Sequence, residues 1–310
     1  MGGEHLAYTL TDNDWAGLLD RIQGGKCTPF LGAGVNYGIL PTGATIAADW
    51  AREYEYPLKD VGDLARVAQF VAIKLDEPMR PKELILSLFE KTLKGLDLDA
   101  KLKDPQNPLA FLAGLPLPVY ITTNYDDFMT RALKFAGKTP HSEICGWNPV
   151  VIQHNNSIPT KGKNRKARAS PTKDDPLVFH LHGHQDLLQS LVLTEDDYLD
   201  FLVEASKQPK MLPPRIQEAV TNSSLLFIGY RLADVNFRVL FRGLLNSLTK
   251  GLRSISLAVQ LPPEEVSENE RANMQAYLDK YFRNVEVKVY WGEADRFLAE
   301  LHERWERFNR

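Results

Sequence analysis

Short apolar segments alternate along this chain with longer segments of helical periodicity, and this alternation restricts the fold more than any other feature. Each apolar segment is rich in β-branched or aromatic residues and ends near a turn residue. Strands separated by helices are typical of an α/β protein, so we expect a Rossmann-like parallel sheet with helices on both faces. The predicted strands are residues 28–32, 118–123, 177–183, 224–230, 255–260 and 285–291.

The spacing of these segments predicts how the chain is organised. With 310 residues, it is long enough for one large α/β domain spanning 1–310. The interval between the first two strands is too long for a simple crossover and has helical periodicity, which predicts a helical insertion at 45–115. The segment 155–175 is basic, carries glycine, serine and proline, and lacks periodicity, so we expect a flexible surface loop. A solvated loop is favoured over a contact with nucleic acid or a partner.

Composition excludes several classes of protein. A net charge of −3 argues against a surface devoted to binding nucleic acid. The chain has only two cysteines, Cys27 and Cys145, too few for a disulfide scaffold or a four-cysteine zinc site. No segment reads as a signal peptide or as an apolar membrane span. We therefore expect a cytoplasmic protein with no membrane partner and no direct readout of nucleic acid.

The sequence FLGAGVNYG follows the first predicted strand and contains Gly32, Ala33 and Gly34. Small residues let the backbone approach a ligand closely, and a helix that follows could aim its N-terminal amides at a pyrophosphate. The third glycine of the usual dinucleotide motif is missing, so a tight turn from strand to helix is an equal alternative.

Polar residues also follow two other predicted strands. YITTNYDDF places Thr123, Asn124 and Asp126 at the end of the second strand, where open α/β sheets bind ligands. A helix N-cap would explain one such residue but not the whole group. LLFIGYRLADVNF repeats the pattern with Gly229 and Tyr230, followed by a helix that we expect to begin near Asp234.

His180, His182 and His184 follow one another at alternate positions in VFHLHGHQD. Alternate residues on a strand share a face, but three metal ligands so close together are geometrically awkward, and we expect no metal. An imidazole titrates near neutral pH and can accept a proton or orient a hydroxyl. A polar strand end without chemistry is the alternative reading. His180 and His184 are interpreted as packing or supporting residues.

The order of these motifs resembles the sirtuin fold, and it is most similar to the SIR2-like domains of bacterial anti-phage defence. Gly-Ala-Gly, Thr-x-Asn-x-Asp, His-Gly and a strand ending in glycine follow one another as they do in that family. The resemblance extends over about residues 25–305 and also includes WGEAD near the C-terminus. It implies NAD contacts for Gly32, Ala33, Gly34, Thr123, Gly229, Tyr230, Asp234, Gly292 and Glu293, and catalytic roles for Asn124, Asp126 and His182.

The chain also departs from the protein-deacylating sirtuins. Those enzymes carry two Cys-x-x-Cys pairs that bind a structural zinc, whereas both cysteines here precede His182 and no such pair is present. The Pro-Asp-Phe-Arg element that follows the glycines in deacylases is also missing. The platform for an acyl-lysine peptide is therefore in doubt, and water becomes the expected acceptor.

The resemblance implies an NAD+ glycohydrolase that uses NAD+ as substrate and produces ADP-ribose and nicotinamide. It further implies antiviral abortive infection by depletion of NAD+, with gating by homo-oligomerisation or by a regulatory partner. A HerA-like ATPase, a short Argonaute and a nucleotide-binding oligomerisation domain are the candidate partners. Two alternatives remain open: an NAD-dependent deacylase or ADP-ribosyl transferase, and a module that binds NAD or ADP-ribose without turnover.

Overall fold

The computed structural model describes residues 10–157, 170–207, 211–230, 256–260, 268–283 and 287–310. Within them, seven strands form one sheet in which every pairing is parallel, in the order β3-β4-β2-β1-β5-β6-β7. The expected α/β fold with a Rossmann-like parallel sheet is confirmed. The strands are β1 (Cys27–Leu31), β2 (Val119–Thr122), β3 (His141–Ile144), β4 (Leu177–His180), β5 (Ser224–Ile228), β6 (Ser256–Gln260) and β7 (Val287–Trp291).

Helices connect the strands and cover the sheet. The 3₁₀ turns Ala33–Asn36 and Leu188–Ser190 lie between strands and α-helices in the described residues. The described α-helices are α1 (Asp12–Gln23), α2 (Gly43–Glu53), α3 (Leu64–Leu75), α4 (Arg80–Leu93), α5 (Leu98–Lys103), α6 (Pro108–Gly114), α7 (Phe128–Phe135), α8 (Pro149–Ser157), α9 (Glu195–Lys207), α10 (Pro214–Asn222), α11 (Glu268–Arg283) and α12 (Ala294–Phe308).

Two hydrophobic layers enclose the sheet because successive residues of each strand point to opposite faces. In β1, Leu31 joins one layer, where Trp15 of α1 stacks on Phe297 of α12 with ring centroids 5.4 Å apart. Phe30 joins the other layer and packs against Phe227 of β5 at 5.1 Å. Burial on both faces explains why β1 and β5 are mostly apolar rather than alternating apolar with polar residues.

Five helices, α2 to α6, lie between β1 and β2. Their starts follow ordinary capping chemistry: the Asp63 carboxylate accepts hydrogen bonds from the Ala65 and Arg66 amides at the start of α3. The helical insertion is here the segment from α2 to α6. The assignment of the whole chain to one domain with this insertion stays a prediction.

Several boundaries differ from the sequence prediction. β4 ends at His180 rather than at residue 183, and β5 ends at Ile228 rather than at 230. β3 was not predicted, because its partly exposed residues give no apolar signal. The helix expected near Asp234 and most of the basic loop lie outside the described residues. None of the helices described above is long and apolar enough to cross a bilayer.

Candidate active site

The topology of the sheet creates a crevice at the carboxyl ends of β1 and β5. From β1 the chain moves to β2 on one side, whereas from β5 it moves to β6 on the other side. Connections that leave in opposite directions open a gap between the two strand ends, and α/β proteins bind ligands in that gap. The predicted glycines follow these two strands, Gly32 and Gly34 after β1 and Gly229 after β5.

These three glycines pack backbone against backbone, and we call them the glycine cradle. The Gly34 amide donates to the Gly229 carbonyl at 3.0 Å. A Cβ atom on Gly32 would lie 2.6 Å from the Gly229 oxygen, and one on Gly34 would lie 2.8 Å from the Gly229 Cα. Gly229 has φ +80°, a left-handed conformation that favours glycine. The glycine cradle therefore admits no side chain at these three positions.

The residues after β1 form a 3₁₀ turn, Ala33–Asn36, and α2 begins only at Gly43. The sequence left open whether a helix with its amides aimed at a pyrophosphate or only a tight turn follows the glycines, and the structure has the short 3₁₀ turn directly after them. The Val35 amide donates to the Gly32 carbonyl, so the turn already uses part of its backbone. Ala33 is exposed at the start of the turn.

Asn124 connects the ends of three neighbouring strands. Its side-chain amide donates to the Gly32 carbonyl at 3.2 Å, and its own backbone amide donates to Thr122 Oγ1 at 3.0 Å. Its backbone oxygen lies 3.4 Å from Nδ1 of His180, at the end of β4. The structure thus places Asn124 between the glycine cradle and the histidine segment.

Asp126 is buried and hydrogen-bonded through both carboxylate oxygens. Oδ2 accepts from Nδ2 of Asn36 at 2.7 Å, and Oδ1 accepts from the Phe128 amide at 3.0 Å, at the start of α7. Burial raises the pKa of Asp126 to about 6. The contact with Phe128 pairs the first amide of α7, although the N-cap residue is Asp127 and not Asp126, whereas the contact with Asn36 joins Asp126 to the turn after β1.

Asn36 is a site residue that sequence reasoning missed. It is buried, and its Oδ1 atom has no hydrogen-bond partner among the described residues. An amide two positions after Gly-Ala-Gly was the available signal, because the turn that follows such a motif faces the ligand. Its partner Asp126 is distant in sequence, so the contact could not be foreseen.

Thr123 and Tyr230 join β2 to β5 across the end of β1. Their hydroxyl oxygens are 3.0 Å apart, and the Tyr230 hydroxyl donates to the Leu31 carbonyl at 2.8 Å. The Thr123 amide also donates to that carbonyl. Both predicted NAD contacts therefore lie beside the glycine cradle and hold its strand ends together.

His182 lies just beyond β4, in a turn where Gly183 has φ +97°. Its imidazole is buried between the rings of Tyr198 and Phe201, with centroids 5.2 and 5.3 Å away and nearly perpendicular planes. Burial lowers the pKa of His182 to about 3, which corrects the expectation that this imidazole titrates near neutral pH. Its Nε2 atom is buried and unpartnered within the described residues.

His180 and His184 pack against each other, with ring centroids 4.5 Å apart. Burial lowers the pKa of His180 to about 3, and His184 Nδ1 accepts from the Asp186 amide at 3.2 Å. The three histidines do not share a strand face, because β4 ends at His180. In the described part of the chain, no group of three or more His, Cys, Asp or Glu side chains is arranged to hold a metal.

The remaining predicted contacts lie at a distance from this cluster. Gly292 and Glu293 follow β7, the edge strand, two strands away from β5. Glu293 is the residue before the first turn of α12 and makes no side-chain capping bond there. The neighbouring Trp291 donates from Nε1 to Asp279 Oδ1 at 3.0 Å. Asp234 lies outside the described residues.

Buried polar atoms without partners mark what this arrangement can bind. Among the described residues, Oδ1 of Asn36 and Nε2 of His180 and His182 are three such atoms. Native proteins leave few buried polar atoms unpaired, and exceptions are frequent at functional sites. Nδ1 of His180 faces a carbonyl oxygen, which favours a proton on Nδ1 and leaves Nε2 as an acceptor. Neutral imidazoles of this kind suit the hydroxyls of a sugar.

A parallel sheet with a glycine cradle at its switch point is typical of nucleotide-binding α/β proteins. Residues 118–285, more than half of the chain, match the family described as the SIR2-like domain, and the chain belongs to this family. This match confirms the SIR2-like family that the order of motifs indicated. The matched range contains the strand ends after β2, β4 and β5 but not the glycines after β1.

Several curated relatives carry the name NAD(+) hydrolase ThsA. The protein from Bacillus cereus is 23% identical over 209 residues, 67% of this chain and 37% of that protein. The protein from Acinetobacter baumannii is 22% identical over 214 residues, 66% of this chain and 39% of that protein. The protein from Enterococcus faecium is 26% identical over 125 residues, which are 40% of this chain and 22% of that protein. The chain thus spans less than half the length of these relatives.

Proposed function

We propose that this chain hydrolyses NAD+ to ADP-ribose and nicotinamide. The observation that carries the proposal is the position of Asn124, whose side chain binds the Gly32 carbonyl while its backbone oxygen faces His180. A residue in this position lies between a backbone surface suited to phosphates and the buried imidazole of His180, which suits a ribose. The relatives named as NAD(+) hydrolases support the same substrate.

The glycine cradle would receive the pyrophosphate. Without side chains at Gly32, Gly34 and Gly229, the backbone can approach phosphate oxygens closely. The exposed Ala33 lies at the start of the turn and adds no bulk beyond a methyl group. Gly292 and Glu293 would serve the adenine end, in agreement with their position beyond β5 at the same edge of the sheet.

The reaction breaks the bond between the ribose C1′ and the nicotinamide nitrogen. The bonding electron pair moves to that nitrogen, which neutralises the pyridinium, while a water oxygen bonds to C1′ and releases a proton to solvent. We assign the orientation of this water or of the ribose to the Asn124 amide. Holding both reactants in place removes much of the entropic barrier.

His182 and Asp126 would act without exchanging a proton at neutral pH. Because burial lowers the pKa of His182 to about 3, its neutral imidazole serves as a hydrogen-bond acceptor for a ribose hydroxyl or the water. Asp126, with a pKa of about 6, is ionised at pH 7 and stabilises positive charge that develops on the ribose. Asn36 favours this ionised form through its hydrogen bond.

The biological setting extends the proposal. We infer that depletion of NAD+ serves anti-phage defence by abortive infection, and that homo-oligomerisation or a regulatory partner gates it. A HerA-like ATPase, a short Argonaute or a nucleotide-binding oligomerisation domain would supply the gate. The relatives are more than twice as long as the matched region, which leaves room in them for such a regulatory part.

Product analysis tests this function. Purified protein is incubated with NAD+, alone and with the product of the neighbouring gene, and the products are separated by chromatography. We expect nicotinamide and ADP-ribose in equal amounts, and their loss in His182→Gln. His154→Gln, at an exposed position on α8, is the matched control and should keep wild-type activity.

Two further measurements separate the alternatives. Addition of an acetylated peptide yields acetyl-ADP-ribose only if the protein is a deacylase. Calorimetry tests for a binding module. If it detects NAD+ binding in samples that release no nicotinamide, alone or with the neighbouring gene product, the protein binds NAD+ without hydrolysing it. Both results would contradict the proposed reaction.

A further inference from the structure

The first turn of α9 is bound to the helical insertion through three successive acidic residues, Glu195–Asp197, which we call the acidic clasp. Oε1 of Glu195 lies 3.7 Å from Nε of Arg66 on α3. Asp196 exchanges two hydrogen bonds with Gln69: its Oδ2 accepts from Nε2 at 2.8 Å and its amide donates to Oε1 at 3.1 Å. These two contacts are largely exposed and contribute little by themselves.

The third contact of the acidic clasp is buried. Nζ of Lys82 on α4 donates to Oδ1 of Asp197 at 2.7 Å, and the side chains are 6% and 14% exposed. The same Nζ lies 6.0 Å from the ring centroid of Trp147. Removal of one partner from such a pair leaves a buried charge uncompensated, which is far more disruptive than loss of a surface pair. Lys82 and Asp197 therefore fix α4 and α9 to each other.

Asp197 also holds the segment that precedes α9. Its Oδ2 atom accepts from the Leu193 amide at 3.0 Å and from the Thr194 amide at 2.9 Å. The next residue toward the N-terminus, Val192, donates its amide to the His182 carbonyl at 2.9 Å. Hydrogen bonds from Lys82 through Asp197 to Leu193, the covalent backbone from Leu193 to Val192, and the bond from Val192 therefore lead to the backbone of His182.

The inner face of α9 holds the side chain of His182. Tyr198 directly follows the acidic clasp, and Phe201 lies one turn further along α9. Their rings are the two that enclose the imidazole. A shift of α9 would move both rings and admit water to His182. Tyr198 is a titratable group in contact with this imidazole, and burial is the cause of the lowered pKa.

We propose that Lys82 is a positioning residue for His182: through Asp197 it fixes α9, and α9 fixes the imidazole between Tyr198 and Phe201. The helical insertion thereby controls the geometry of the active site, although it is separate in sequence from the strand ends. The catalytic consequence rests on the proposed function. A partner or a second copy that displaces α4 would act on His182 by this route.

The test compares Lys82→Met with Lys82→Arg, which keeps the charge and the donors. In Lys82→Met we expect kcat for NAD+ to fall about 10²-fold, the effect of misplacing a reacting group by about 1 Å. KM should change by less than about threefold, because transition-state and not ground-state interactions are lost. Lys82→Arg should restore kcat to within about threefold of wild type. Lys74→Met, which breaks an exposed pair with Glu55 on the same insertion, is the control.

A second readout does not need turnover. Nitrogen-15 NMR of the histidine rings should show a His182 signal that is constant between pH 5 and 8 in the wild type and titrates in Lys82→Met. The His182 signal is assigned as the one that is missing from the spectrum of His182→Gln. If Lys82→Met does not fold, Lys82→Met/Asp197→Asn removes both charges, avoids an uncompensated one and keeps an acceptor for the amides before α9.

The outcomes separate the two proposals. A wild type that releases no nicotinamide under any condition contradicts the proposed function, while the NMR titration still tests the positioning role. A His182 signal that stays constant in both Lys82 variants overturns the positioning role, whatever the kcat. A fall in kcat that Lys82→Arg does not reverse, with an unchanged His182 signal, shows a purely structural role and also overturns it.

Discussion

Asn36 and Asp126 form a buried hydrogen bond of 2.7 Å that joins the turn after β1 to the end of β2. The bond connects a residue that the sequence did not single out with one that it did. Because the Asn36 amide donates to the carboxylate, it favours the charged form of a group that burial otherwise disfavours. Burial raises the pKa of Asp126 and the Asn36 hydrogen bond lowers it, so the two effects together set the pH at which Asp126 ionises. A titration can therefore test the site.

Replacement of Asn36 should shift the acidic limb of the pH profile. If ionised Asp126 is required, kcat/KM falls below the pKa of about 6. Asn36→Leu removes a donor to the carboxylate, so the pKa rises further and the limb moves to higher pH by about one unit. Asp126→Asn should lower kcat/KM at every pH and leave the residual activity without the acidic limb. The check is kcat/KM measured from pH 5 to 8, with Asn156→Leu on the surface as control. An unmoved limb in Asn36→Leu would exclude Asp126 as the titrating group.

The lowered pKa of His182 predicts how stability depends on pH. In the unfolded chain the imidazole takes up a proton below about pH 6.5, whereas in the folded state it does so only near pH 3. The folded state is therefore favoured fully above pH 6.5 and loses stability as the pH falls. His182→Gln removes this contribution, so the difference in unfolding free energy between wild type and variant should shrink by about 2 kcal/mol from pH 7 to pH 5.

Urea unfolding at the two pH values measures this difference. His180 has a similarly lowered pKa, but it is present in both proteins and cancels in the comparison. An identical difference at pH 5 and pH 7 would show that His182 is accessible to protons in the folded protein.

The glycine cradle can be tested with a pair of glycines that share a backbone conformation. Gly229 and Gly137 have φ +80° and +79°, but a Cβ at Gly229 would lie 2.5 Å from the Val35 nitrogen, whereas one at Gly137 has no heavy atom within 4 Å. The left-handed backbone costs alanine about 1–2 kcal/mol of stability at either position, and Gly229→Ala adds the cost of the close contact with Val35. Only Gly229→Ala should also weaken NAD+ binding, by at least about tenfold.

Calorimetry with NAD+ distinguishes the two variants. Equal affinity in both would show that the close packing of Gly32, Gly34 and Gly229 serves the fold and not the ligand.

The sequence predicted those parts of the fold that depend on local pattern. β1 and β5 are buried on both faces, so most of their residues are apolar, and short apolar segments are visible in the sequence. β3 is an edge strand with an exposed Ser142 and Glu143 only partly buried, and it carries no such run. β4 ends at His180 because a turn begins at Leu181, ahead of the left-handed Gly183, and periodicity alone could not locate this turn.

The candidate site could be predicted only where one motif carries the information. The order of glycines, Asn124 and His182 was enough to place them at neighbouring strand ends. The bond from Asn36 to Asp126 and the bond from Lys82 to Asp197 join residues 90 and 115 positions apart. Such contacts depend on how the helical insertion folds back on the sheet, and a single sequence does not contain a local signal for them.

The most direct test of the account is the effect of Asn124→Ala on binding and on turnover, measured side by side. We expect calorimetry with ADP-ribose to give an affinity within about threefold of wild type, because the glycine cradle remains. Nicotinamide release from NAD+ should fall by at least about 10²-fold, because the reacting groups are no longer oriented. Asn156→Ala should behave as wild type in both assays. Wild-type release of nicotinamide by Asn124→Ala would contradict the account.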